Sequence, residues 1–147
     1  MNREIKFRAY DKEVEKMTYF DDEDYLYNYP FILRQEQVFK KDSNYDDYED
    51  FEYKDITNKV ELMQYTGLHD KNGKKIYEGD IIKCKKYIGG NFVDYCIEKG
   101  FVEFKNGEFG VHRKQGYYQS LKKFIEYDYE LEVISNIYDN LELLRGE

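Results

Sequence analysis

The sequence predicts a mostly β protein with minor helix, built on a small SH3-like barrel in its C-terminal half. Two observations point there. Short runs with strand alternation recur at close spacing, and turn signals rich in Gly and Asn separate them. The close spacing suggests a small barrel or sandwich and not a βαβ fold, in which helical stretches would alternate with the strands. About five short strands between Ile76 and Tyr138 suit a small closed barrel, and closure would remove exposed sheet edges.

The elements follow in order. In residues 3–10, Ile5, Phe7 and Ala9 fall on one face of a strand. Asp11-Lys12-Glu13 turns the chain, and Met17-Thr18-Tyr19-Phe20 returns as a hairpin partner. An acidic insertion over 21–55 follows, then a strand at Glu61–Tyr65. Asn72-Gly73 is a strong turn signal, because both residues tolerate positive φ. Glu78-Gly79-Asp80 breaks the next strand with a bend, and Ile81–Ile88 runs on as a long strand to Gly89-Gly90-Asn91. Strands are expected at Phe92–Ile97, Phe101–Phe104 and Phe109–His112, the last two joined by Asn106-Gly107. Ser120–Phe124 reads as one helical turn or a bend, and Leu131–Tyr138 as the last strand. Asp139-Asn140 should then cap a short helical tail. The expected division is 1–75, a hairpin plus the irregular acidic insertion packed on the barrel, and 76–147, the barrel itself.

Charge singles out the insertion. The formal net charge is −8, and between Asp21 and Asp55 there are 12 acidic and 4 basic residues, so the whole excess lies there. Crowded carboxylates favour solvated chain, while interleaved aromatics oppose complete disorder. One reading is a solvated loop with a short apolar anchor, Tyr29-Pro30-Phe31-Ile32-Leu33. The other is an acidic–aromatic surface offered to a basic partner, such as one that normally holds nucleic acid, with Asp46, Asp47, Tyr48, Glu49, Asp50 and Phe51 as its candidates. The chain has 17 Tyr, 10 Phe and no Trp. A Tyr ring can be buried only if its hydroxyl finds a partner, so many rings should lie half-buried or line a contact surface.

No apolar run reaches the roughly 20 residues of a membrane helix, and the N-terminal residues lack an apolar signal core. A cytoplasmic location is expected, with Cys84 and Cys96 as plain thiols. Phosphate-binding glycine loops, zinc spacings and activated nucleophiles are not recognisable, so no cofactor is expected. His112, beside Arg113-Lys114, reads as a surface base. Glu78 and Asp80 flank Gly79 and could together hold Mg²⁺ or share a proton, although a turn stabilised by Asp80 explains them as well. Lys83, Lys85 and Lys86, with Arg113 and Lys114, are candidates for a nucleic-acid face. Alternation sends Lys86 away from Lys83 and Lys85, and residues 76–147 carry no positive excess, which counts against that face.

Four stretches carry a resemblance. They are Ile5-Lys6-Phe7-Arg8-Ala9-Tyr10-Asp11, the long run from Met63 to Ile81 containing Tyr65-Thr66-Gly67-Leu68-His69-Asp70-Lys71-Asn72-Gly73 and Tyr77-Glu78-Gly79-Asp80, the weaker Gly100–Phe104 with Gly107-Glu108-Phe109, and Leu131–Asn140. In these the chain resembles the YopX proteins of bacteriophages and prophages. Tyr10 stands where a Trp is common, and Leu141 where a Pro is common. The resemblance implies a phage-encoded protein of the bacterial host cytoplasm with an SH3-like barrel. It implies no activity, because the family is one of unknown function. The expectation is therefore a non-enzymatic accessory module that binds a host or phage protein or assembles with itself. The alternative is a nucleic-acid-binding barrel using the lysines named above.

Overall fold

The computed structural model describes residues 4–20, 31–34, 37–41, 53–88, 91–92, 98–113 and 118–145. The chain forms two compact units, Lys6–Met63 and Gln64–Glu147, the second joined by Met1–Ile5. It is mostly β, with curled antiparallel sheet forming a half-barrel and little helix.

In the first unit, β1 (Phe7–Asp11) and β2 (Lys16–Tyr19) make the hairpin expected from the sequence. Asp11 shapes its turn: Oδ1 accepts the backbone N–H of Glu13 at 2.9 Å, and Glu15 takes the left-handed φ of 53°. The acidic interval contributes β3 (Phe31–Arg34), β4 (Gln37–Lys41) and β5 (Tyr53–Asp55), an antiparallel sheet in the order β3-β4-β5. The apolar anchor thus supplies a strand from Phe31 onward. A 3-10 turn at Thr57–Lys59 ties this sheet in, since Thr57 Oγ1 accepts the Val38 N–H at 3.0 Å and Val38 C=O accepts the Ile56 N–H at 2.8 Å. Ala9, Val38, Ile56 and Val60 form the unit's small core.

Strand β6 (Val60–His69) starts in the first unit and ends in the second, where it pairs with β7 (Lys75–Tyr77). The second unit continues with β8 (Asp80–Ile88), β9 (Asn91–Phe92), β10 (Glu98–Lys105), β11 (Glu108–Arg113), β12 (Tyr118–Ser120), the helix α1 (Leu121–Glu126) and β13 (Tyr129–Asn136). The principal sheet runs β12-β11-β10-β8-β13, five strands along its path, with β9 paired to β8.

Alternation decides what this sheet buries. Ile82, Cys84, Val102, Val111, Leu131 and Val133 line one face, and α1 closes that side with Leu121 and Phe124. The helix touches β12 and β13, the two terminal strands, and so bridges the ends of the curled sheet. Each buried side chain of this size removes roughly 1.5–3 kcal/mol worth of apolar surface from water. The Phe124 ring meets Tyr129 edge-on at 5.0 Å, an arrangement favoured by opposed quadrupoles.

Two Asn-Gly turns separate into two kinds. At Asn106-Gly107 both residues have positive φ, 53° and 81°, and the pair Lys105–Glu108 closes a two-residue hairpin. At Asn72-Gly73 only Gly73 does, with φ 80°. There the Gly73 N–H reaches Asp70 C=O at 3.0 Å, and the Asp70 carboxylate organises the loop. The C-terminal tail is a 3-10 turn at Leu141–Leu144. Asn140 precedes it but makes no capping bond; its side chain shares a 2.8 Å hydrogen bond with Ser135 Oγ.

Candidate functional site

The bend at Glu78-Gly79-Asp80 is a junction of backbone bonds. Gly79, at φ 80°, donates its N–H to Val102 C=O at 2.7 Å and accepts the Ile137 N–H at 2.9 Å. Such a φ strains any residue with a Cβ. Asp80 is buried, and its Oδ2 accepts the Tyr77 N–H at 2.8 Å. Glu78 Oε2 accepts the Gln64 N–H at 2.7 Å. The two carboxylates therefore sit on different backbone amides. Among the described residues, no three His, Cys, Asp or Glu side chains come together as a metal site.

A second carboxylate does similar work at longer range. Asp70 Oδ1 accepts the N–H groups of Asn72 and Lys74, and Oδ2 accepts that of Val133. Burial alone would raise this carboxyl. The three amides and the nearby Lys74 charge outweigh burial and hold it below the usual aspartate value. The Lys71 N–H completes the contact by donating to Leu131 C=O at 2.9 Å.

The face of the principal sheet opposite its core carries most of the charge. On β8, Lys83 and Lys85 stand directly across from Glu132 and Glu130 of β13. Both glutamates are held by Lys71, at 3.2 Å each, and their hydrogen bonds raise the lysine pKa. On the other side of β8, Lys83 faces Lys99 of β10. Further along this face Phe101 stacks on His112 with centroids 5.0 Å apart, and His112 Nδ1 lies 3.0 Å from Glu103 Oε1. Tyr118 covers Gly110, where a Cβ would lie 2.2 Å from the ring, and its hydroxyl donates to Glu108 C=O at 2.9 Å. Burial, then the Glu108 and Glu103 charges, push the Tyr118 phenol up.

The remaining candidates lie elsewhere. Lys86 shares a face with Tyr129, its Nζ 5.5 Å from that ring and 5.9 Å from Tyr127. Arg113 stacks on Phe124 at 5.2 Å and donates to Gln119 Oε1 at 2.6 Å, on the core side. The five candidate cations thus do not share one surface; Lys114 lies outside the described residues, as do Asp46, Asp47, Tyr48, Glu49, Asp50, Phe51 and Cys96. Cys84 is a buried thiol in the core. The sequence reading missed Lys71 and Lys99. Their only signal is cross-strand register, which pattern does not reveal. Beside α1 an open polar cleft of about 500 Å³ is lined by Glu108, Tyr118, Lys122, Lys123 and Tyr127. Among the described residues, no helix is long and apolar enough to cross a membrane.

The family model described as YopX protein matches residues 6–145. The crystal structure of protein yopX from Bacillus subtilis is similar at a TM-score of 0.63 and 25% identity, covering 97% of each chain. That of protein EF1440 from Enterococcus faecalis is similar at a TM-score of 0.53 and 24% identity, covering 97% of this chain and 99% of the other. No curated protein matches the sequence.

Proposed function

The chain belongs to the YopX family, and from that premise we propose that it is a phage-borne accessory protein that works in the bacterial cytoplasm by binding a protein, including a second copy of itself, and not by catalysis. The carrying observation is a set of exposed apolar side chains in the second unit. Its core is closed by α1, yet Phe104, Ile125 and Tyr127 stand 53%, 47% and 57% exposed. Phe104 stands on the core-side face of β10, paired edge-on with Phe109 of β11 at 5.0 Å. Aromatic side chains of this kind are enriched where proteins meet. The carboxylates that sequence singles out for chemistry, Glu78 and Asp80, are each bonded to a backbone amide. The bacterial origin of the two similar structures supports the setting.

The test is solution mass by light scattering, on the protein alone and after incubation with host lysate depleted of nucleic acid. A defined complex that weakens with Phe104→Ser or Tyr127→Ser, while the melting temperature holds, supports the reading. A monomer that binds nothing in lysate overturns it.

A further inference from the structure

We propose that the sheet face carrying Lys83, Lys85 and Lys99 is the docking surface for the acidic–aromatic stretch of a second copy of this chain. The inference rests on the protein-binding reading and names its electrostatic half.

Three observations carry it. Lys83 and Lys99 are directly opposed on neighbouring strands. Like charges so placed repel, and an anion between them relieves the repulsion. The carboxylates across from Lys83 and Lys85 are Glu132 and Glu130, and both are bound by Lys71 from the edge. Among the described residues, Lys83, Lys85 and Lys99 make no ion pair, so three cations remain available on one face. Complementary charge is present in the same sequence. Asp46-Asp47-Tyr48-Glu49-Asp50-Phe51 sets four carboxylates among aromatics, inside an interval of net charge −8.

The surroundings favour an acidic peptide over a nucleic-acid strand. Glu130 and Glu132 bound the lysines on one side, and Glu103 lies further along the same face of β10. A phosphate backbone tracking across the sheet would meet those carboxylates with successive charges, whereas a short acidic segment needs only the span of the three lysines. Lys86 and Arg113, which could have lengthened a cationic groove, face the other way.

The experiment measures mass by light scattering and affinity by anisotropy, using the full chain and a labelled synthetic peptide of residues 42–52. The expected result is self-association at low salt that disappears at high salt and on adding excess unlabelled peptide. Lys83→Glu with Lys85→Glu should weaken peptide binding by about tenfold or more. Lys122→Glu with Lys123→Glu, on α1, should leave it unchanged. Absence of peptide binding at low salt, equal losses in both double variants, or tighter binding of a labelled oligonucleotide through Lys83 and Lys85 each overturns the proposal. Self-association that ignores salt and responds only to Phe104→Ser also overturns it, and leaves the protein-binding reading standing.

Discussion

Asp70 Oδ2 accepts the backbone N–H of Val133 at 3.0 Å, across 63 residues of chain. The same carboxylate organises its own turn through Asn72 and Lys74. One side chain therefore fixes a local loop and attaches it to the last strand of the half-barrel. Asp70→Ala leaves those amides without their acceptor in a site where Asp70 is 8% exposed. It should cost about 1–3 kcal/mol in urea denaturation.

Acid should have a related effect. The Asp70 carboxyl sits below its ordinary value in the folded chain, so the unfolded chain binds the proton more readily. Its contribution is fully present above about pH 4 and is lost as pH falls through the folded value. Asp70→Asn should flatten that part of the stability profile, measured by thermal melts at stepwise lower pH.

The two Asn-Gly turns should respond differently to alanine. Asn106 has φ 53°, so Asn106→Ala should cost about 1–2 kcal/mol. Asn72 lies outside the left-handed region, and Asn72→Ala should stay within about 0.5 kcal/mol. Equal melting shifts in the two variants would contradict this account.

Gly110 and Tyr118 form a matched pair. Gly110→Ala places a methyl 2.2 Å from the Tyr118 ring and should cost about 1–3 kcal/mol. Combined with Tyr118→Ala, the methyl should be tolerated, so the double variant should lose less than the sum of the singles. Additive losses in a denaturation cycle would show that the ring does not rest on Gly110.

Asp80 should behave as a structural residue. Asp80→Ala should lower stability by about 1–3 kcal/mol, because the buried Tyr77 N–H loses its acceptor. Adding Mg²⁺ to the native chain should leave its melting temperature unchanged. A magnesium-dependent rise that Asp80→Asn abolishes would restore the metal reading.

Much of the fold was legible because it rests on local signals. Alternation located the hairpin of β1 and β2 and the strands at Ile81–Ile88, Phe101–Phe104, Phe109–His112 and from Leu131, while residues 93–97 of the expected strand Phe92–Ile97 lie outside the described residues, and Asn106-Gly107 marked a true two-residue turn. Alternation also placed Lys86 on the opposite face from Lys83 and Lys85. Asn72-Gly73 looked the same in sequence, but there Asp70 sets the geometry from two residues before. What sequence did not disclose is contact between distant strands. Nothing near Lys71 announces Glu130 and Glu132, and nothing near Lys83 announces Lys99. Register brings each pair together, and register is decided by the whole sheet.

The terminal position of β13 gives the Asp70 turn one more role. An outermost strand offers unsatisfied amides and carbonyls to any passing chain, and stray pairing of that kind begins aggregation. Asp70 and Lys71 occupy those groups at Val133 and Leu131, so the molecule blunts its own margin with a loop. Protonating Asp70 would remove half of that guard. Acid strong enough to protonate Asp70, below about pH 4, should therefore expose the strand to foreign pairing before the core itself gives way.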